Sequence, residues 1–271
     1  MDEMQGRVAV VTGGASGIGL ALGRRLAAAG MSIVIADIEQ GALDTAAAEL
    51  GAAGAAVLAV RTDVSDPTAV EALAVAAYER FGAVHVVVNN AGVVTGGAAW
   101  EQSNEDWNWV LGVDLWGVIY GVRSFVPRMM AGGEPGHIVN TASIAGLLAM
   151  PGIAPYDVAK AGVVSLSECL HYDLEAVGAP IGVSVLCPGR VRSRIGQSDR
   201  NRPGGPASTQ YRPGTLVPDT VLSAEDTADL VFDAIRNDRF WILTHGGYDE
   251  WITRRAAGML AGTAPERSPV L

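Results

Sequence analysis

The stretch Val8-Ala9-Val10-Val11-Thr12-Gly13-Gly14-Ala15-Ser16-Gly17-Ile18-Gly19 decides how this chain folds. It opens as an apolar, largely β-branched run, the pattern of a strand buried on both faces. It then breaks into glycines and continues into an Ala-rich helical stretch over 19–29. Glycine lets the chain turn tightly and lets backbone N–H groups approach a bound diphosphate. The helix that follows adds the positive end of its dipole. The candidate cradle is Gly13, Ser16, Gly17, Ile18 and Gly19. Its spacing, Gly-x-x-x-Gly-x-Gly, differs from the commoner Gly-x-Gly-x-x-Gly turn, so its place between a strand and a helix carries the assignment.

Outward from this turn, apolar runs recur over 33–36, 57–60, 84–88, 138–140, 181–186 and 241–243. Helical stretches separate them over 41–50, 67–81, 104–130, 156–177 and 224–236. Such alternation predicts an α/β fold: a doubly wound, Rossmann-like parallel sheet of about seven strands flanked by helices. One domain over 1–271 accommodates it. Asp66-Pro67 marks a helix start, with a capping residue before a proline at the first helical position. Gly30 marks a helix end where a left-handed residue is favoured. Around 190–218 the composition shifts to Pro, Gly, Ser and Arg, which reads as a substrate loop or lid over 190–220.

Composition narrows the function. Hydrophobic residues make up 49% and charged residues 18%, as in a folded globular chain. A formal net charge of −10 argues against nucleic acid as a partner, because phosphate neutralisation needs a basic face. The acidic start Met1-Asp2-Glu3-Met4 lacks the basic, then apolar, pattern of a signal peptide. The uncharged run over 138–156 is broken by Asn140, Gly146 and Pro151, so it reads as a strand and a loop and not a membrane span. A cytoplasmic protein with no membrane partner is expected. The two cysteines, Cys169 and Cys187, read as free thiols, with Cys187 buried in an apolar run. The four histidines have no metal-ligand spacing, and no metal is expected.

Asp37 ends the second apolar run, downstream of the cradle by the distance at which a carboxylate accepts the ribose hydroxyls of adenosine. It would repel a 2′-phosphate, and neither Ser16 nor Ile38 brings a cation to hold one. NAD is therefore expected over NADP. Arg24 and Arg25 lie further along the helix and read as solvated charges.

Tyr156-x-x-x-Lys160 places a phenol and an ammonium on one helix face, with Cβ atoms about 5–6 Å apart. A free tyrosine titrates near 10 and is a poor base at neutral pH; nearby cations favour its phenolate. The pair alone is a common coincidence. Ser143 follows the fifth apolar run, at the end of a parallel strand where ligands bind, and its hydroxyl can donate to a substrate oxygen. Asn89-Asn90-Ala91-Gly92 and Cys187-Pro188-Gly189 end two further runs in the same way.

Together these residues resemble the short-chain dehydrogenase/reductase family. The likeness covers residues 6–243 and rests on five motifs in the family's order: Thr12-Gly13 with Gly17-Ile18-Gly19, Asp63-Val64, Asn89-Asn90-Ala91-Gly92, Ser143 with Tyr156 and Lys160, and Pro188-Gly189-x-Val191. The resemblance implies Tyr156 as general acid/base, Lys160 holding the nicotinamide ribose and lowering the tyrosine pKa, and Ser143 polarising the substrate oxygen. It implies adenine contacts from Asp63 and Val64. Asn90, Ala91 and Gly92 would line the cofactor cleft, as would Pro188 and Gly189. The Val191 backbone would meet the carboxamide, and Ser193 stands where the family often has threonine. It implies a homo-oligomer, tetramer or dimer, through the long helices over 104–130 and 156–177. One departure stands out: Val113-Asp114-Leu115 carries aspartate where the family usually has asparagine in the proton path. Asp114 is thus a fourth candidate catalytic position, able to accept a hydrogen bond or to pair with Lys160.

The expected reaction moves a hydride between NAD and a secondary alcohol or ketone, with a hydrophobic substrate indicated by the apolar stretch over 144–151. A non-catalytic NAD-binding sensor and a lyase or epimerase on the same fold are the alternatives. Six arginines over 190–212 face only Asp199 and read as a solvated lid. Trp100, Trp107, Trp109 and Trp116 read as core or interface packing.

Overall fold

Seven parallel strands form one sheet in the order β3-β2-β1-β4-β5-β6-β7. The computed structural model describes residues 3–205 and 221–266. The strands are β1 (Val8–Thr12), β2 (Ser32–Asp37), β3 (Val57–Arg61), β4 (Val86–Asn89), β5 (Gly136–Thr141), β6 (Ile181–Cys187) and β7 (Trp241–Leu243). The helices between them are α1 (Gly17–Ala28), α2 (Gln40–Ala52), α3 (Pro67–Phe81), α4 (Asn104–Leu111), α5 (Gly117–Gly132), α6 (Ala154–Ala176) and α7 (Ala224–Arg236). A further helix, α8 (Asp249–Ala261), follows β7.

Alternation along β1 shows why the sheet is covered twice. Ala9 and Val11 join Leu22, Leu26, Leu43, Val231 and Ile235 on the face carrying α1, α2 and α7. Val8 and Val10 join Leu73, Phe125 and Leu170 on the other, under α3, α5 and α6. β1 pairs with β2 on one side and β4 on the other. The strand order therefore reverses at β1, and a crevice opens beyond the carboxyl ends of β1 and β4.

Local chemistry sets the helix ends. Asp66 accepts a hydrogen bond from Thr68 N at the start of α3, with Pro67 in the first turn. Gly30 closes the α1 turn at φ +84°. Ser103 and Asp106 form a capping box on α4.

Two expectations need correction. The helix expected over 104–130 is interrupted by a π-helical turn, Gly112–Trp116, that separates α4 from α5. The extra residue in this turn makes room for Asp114, which is fully buried. The helix α8 was not expected; none of its residues is fully buried, and Trp251 and Ile252 pack partly buried against Ile144, Leu148 and Tyr248. The run Asn104–Gly132 is long and apolar enough by composition to cross a membrane. Here Val118, Phe125, Val126 and Met129 are buried in the protein.

Candidate active site

Beyond the strand ends lies a cleft of about 500 Å³. At its floor the β1–α1 turn is built by close approach of backbones. Gly13 has φ +64°, and a Cβ there would lie 2.9 Å from the Ala91 Cα. Gly17 has φ +52°. Thr12 buttresses the turn from below: its hydroxyl accepts from the Asn90 and Ala91 amides, while Asn90 Nδ2 donates to the Thr12 carbonyl at 3.0 Å. Ser16 caps α1 in extended conformation without a side-chain bond to the helix, so its hydroxyl is not engaged in capping the first turn.

The Asp37 carboxylate is aimed by two amides. Oδ2 accepts from Ala15 N and Oδ1 from Glu39 N, both at 3.1 Å. It thus couples the glycine turn to the end of β2 while lining the cleft. Asp63 is fixed by an Asx turn, accepting from the amide and hydroxyl of Ser65. These acceptors and the glycine turn fit an adenosine diphosphate moiety: a carboxylate for ribose hydroxyls, and helix-terminal amides for a diphosphate.

The candidate catalytic side chains stand at the other end. Ser143 is buried after β5; its Oγ accepts from Ala145 N at 3.1 Å and lies 3.4 Å from the Pro188 carbonyl. Tyr156 opens the first turn of α6, and Lys160 lies one turn on, its Nζ 5.4 Å from the tyrosine ring centroid. The ammonium donates to the Thr141 carbonyl at 2.9 Å and sits 3.1 Å from Asp114 Oδ2. Asp114 Oδ1 accepts from Val93 N at 2.8 Å. Below them a buried ladder runs from Asn89 Nδ2 to Asn140 Oδ1, and from Asn140 Nδ2 to the Ser167 hydroxyl, locking β4, β5 and α6 in register.

Most of the expected site residues meet in this one cleft. Gly13, Ser16, Gly17, Ile18, Asp37 and Ile38 line it, as do Asp63, Val64, Asn90, Ala91 and Gly92. Ser143, Tyr156, Lys160, Pro188, Gly189, Val191 and Ser193 complete the wall. Gly19 and Asp114 stand behind it. A Cβ on Gly19 would lie 2.1 Å from the Gly13 carbonyl, so this glycine lets the turn close and is not itself part of the wall.

Other readings shift. Arg24 pairs with Glu49 and Glu225, and Arg25 with Asp229 while stacking on Phe232, so neither is merely solvated. The arginine segment is latched down too: Arg200 and Arg194 pair with Glu39, and Arg202 with Asp106. Arg212 lies outside the described residues. Trp109 packs against Val93, Val110 and Ala159 while also lining the cleft with Met150 and Ile153, whereas Trp100 is 86% exposed and is not core. Cys187 is buried, its thiol pushed up to about 12 by desolvation, and is inert as a nucleophile. His137 is held neutral, its pKa lowered to about 4 by burial. Glu39 is the residue the sequence did not point to; its place two residues after Asp37 was the only available sign.

A dinucleotide-type cleft with Ser, Tyr and Lys at one end defines a class, an oxidoreductase working between alcohol and carbonyl. Residues 7–204 match the short chain dehydrogenase family, and the chain belongs to it. The chain is 41% identical to 1-deoxy-11-beta-hydroxypentalenate dehydrogenase of Streptomyces exfoliatus, over 90% of this chain and 84% of that protein. It is 32% identical to the C alpha-dehydrogenase of a Sphingobium species, over 99% and 90%. A short-chain dehydrogenase/reductase from Burkholderia phymatum, solved in complex with NAD, superposes with a TM-score of 0.94 at 43% identity over the full length of both chains.

Proposed function

We propose that this protein is an NAD-dependent dehydrogenase/reductase that interconverts a hydrophobic secondary alcohol and its ketone. The observation that carries this reading is that Ser143, Tyr156 and Lys160 line the same cleft as the glycine turn and Asp37. Asp37, Asp63 and the Gly13–Gly19 turn would hold the adenosine and diphosphate, and Asn90, Val191 and Ser193 would line the nicotinamide end. When bound, NAD supplies the hydride acceptor for oxidation, and its reduced form the donor for reduction.

The chain's own groups manage the proton and the oxygen. In oxidation the Ser143 hydroxyl hydrogen-bonds the substrate oxygen and orients it. Tyr156 accepts the alcohol proton on its phenolate oxygen, and returns a proton in reduction. The Lys160 ammonium stabilises the phenolate electrostatically in a site withdrawn from water. Lowering a tyrosine pKa by about 3 units takes roughly 4 kcal/mol of differential stabilisation, within reach of the Lys160 ammonium together with the positive nicotinamide ring that NAD⁺ would bring when bound.

Trp109, Met150 and Ile153 favour an apolar substrate. A relative named for a hydroxylated carboxylic acid supports an alcohol of some bulk. A homotetramer or dimer in the cytoplasm completes the reading. Growth of the NADH absorbance band with cyclohexanol, menthol or α-phenylethanol tests it. Turnover with NAD⁺ and at least tenfold less with NADP⁺ is expected; no turnover with any alcohol, despite tight NADH binding, favours the sensor.

A further inference from the structure

Asp114 and Lys160 form an ion pair with side chains 0% and 2% exposed. Oδ1 accepts from the Val93 amide, and Oδ2 faces the ammonium as an ion-pair contact at 3.1 Å. The π-helical turn carries Asp114 inward, and Gly92 leaves the space, since a Cβ there would lie 3.2 Å from Oδ2 and 3.6 Å from Nζ. The ammonium is also the cation beside Tyr156, 5.4 Å from its ring centroid. Any group that holds this ammonium in place or offsets its charge acts on the tyrosine.

We propose that Asp114 is a positioning residue for proton transfer: its carboxylate anchors the Lys160 ammonium against the Thr141 carbonyl and cancels part of its charge, so Tyr156 releases its proton at higher pH than a neutral residue at position 114 would permit. This rests on Tyr156 being the acid/base.

With a neutral residue at position 114 the Lys160 ammonium keeps its hydrogen bond to the Thr141 carbonyl, so loss of the carboxylate removes a screening charge and leaves the ammonium anchored beside Tyr156. Burial holds the Asp114 pKa above the usual carboxylate range, against smaller lowering effects from the Lys160 ammonium and the Val93 amide. Few other charges face this spot. Cys187 at the end of β6 stays a neutral thiol, with its pKa at about 12. Asp157 lies on α6 beside Tyr156 and holds the Met150 amide. Arg190 lines the cleft wall after β6. Behind Trp109, Arg202 is matched by Asp106. Asp114 is the carboxylate placed directly on the lysine.

The test is Asp114→Asn, with two readouts. One is the ultraviolet tyrosinate titration of the cofactor-free protein, with the Tyr156→Phe protein subtracted to isolate Tyr156. The other is the pH profile of kcat/KM for cyclohexanol oxidation. Both are expected to move to lower pH by about one unit, close to a tenfold gain on the acid limb. If both stay in place or move to higher pH, the proposal is overturned. Asp114→Ser, small and neutral, gives the same test should the amide unfold the turn. Activity surviving in Tyr156→Phe would instead sink the parent reading, whereas an inactive Tyr156→Phe with an unmoved Asp114→Asn profile sinks only this one.

Discussion

Glu39 Oε1 accepts hydrogen bonds from Arg200 and from Asn201 Nδ2, joining the segment after β6 to the end of β2 across the cleft. The Arg200 guanidinium, with Asn201 and Arg194, holds the Glu39 carboxyl below the usual carboxylate range. On the opposite rim the Ser198 hydroxyl accepts from the Val94 amide and donates to the Val94 carbonyl. The segment is therefore tied down on both sides of the cofactor cleft. Arg200→Gln is expected to raise the NADH Kd roughly three- to tenfold, the value of one partly exposed ion pair. Titration calorimetry measures it; an unchanged Kd would uncouple this bridge from cofactor binding.

Asp37 is the carboxylate proposed to set cofactor choice. Replacing it with serine removes the acceptor for the ribose and the charge that repels a 2′-phosphate. Asp37→Ser should weaken NADH by about tenfold or more, as expected for loss of charged hydrogen bonds. The ratio of kcat/KM for NADPH to that for NADH should rise together with this loss. A ratio that stays fixed while both cofactors weaken would make Asp37 a brace for the turn and nothing more.

Asp157 makes stability depend on pH. Burial raises its pKa from 3.8 to about 7, against a smaller opposing effect from the Met150 amide. The folded state thus holds this proton more tightly than the unfolded chain. Its contribution to stability is present in acid and is lost as pH rises from about 4 through 7. Asp157→Asn should therefore gain about 2 kcal/mol on the wild type between pH 4 and pH 8, an amount discounted for partial solvent access. Urea unfolding of both proteins at the two pH values checks this; a constant difference between them would contradict it.

Gly19→Ala should disable the cradle. The added methyl would lie 2.1 Å from the Gly13 carbonyl and 2.7 Å from Asn90 Nδ2, and the nearer atom is backbone. Relief requires the turn itself to move, so a loss of about 1–3 kcal/mol in unfolding free energy is expected, together with weakened NADH binding. Retention of both would show that the turn relaxes freely.

The sheet was legible in the sequence because it rests on local signals, and the meeting of Ser143, Tyr156 and Lys160 in one cleft was legible from the order of the motifs along the chain. Apolar runs, glycine turns and strand-end polar residues each declare themselves within a few positions. The π-helical turn was not legible: one extra residue barely disturbs the apolar pattern over 104–130, and Asp114 reads the same on either kind of helix. The partners of the arginines were hidden for another reason. Arg200 and Glu39 are 161 residues apart and meet only because β2 and β6 end at the same rim of the sheet. Helix α8 has no fully buried residue to reveal it, its packing being limited to partly buried Trp251 and Ile252.

The central claim is that Tyr156 transfers the proton while NAD takes or gives the hydride. Its most direct test is kcat/KM for cyclohexanol oxidation with NAD⁺, followed by the NADH absorbance band, for wild type and Tyr156→Phe at matched NADH affinity. The account predicts a loss of at least about a hundredfold in the variant, the scale of general acid–base catalysis, with the NADH Kd unchanged. Activity within a few-fold of wild type would contradict it.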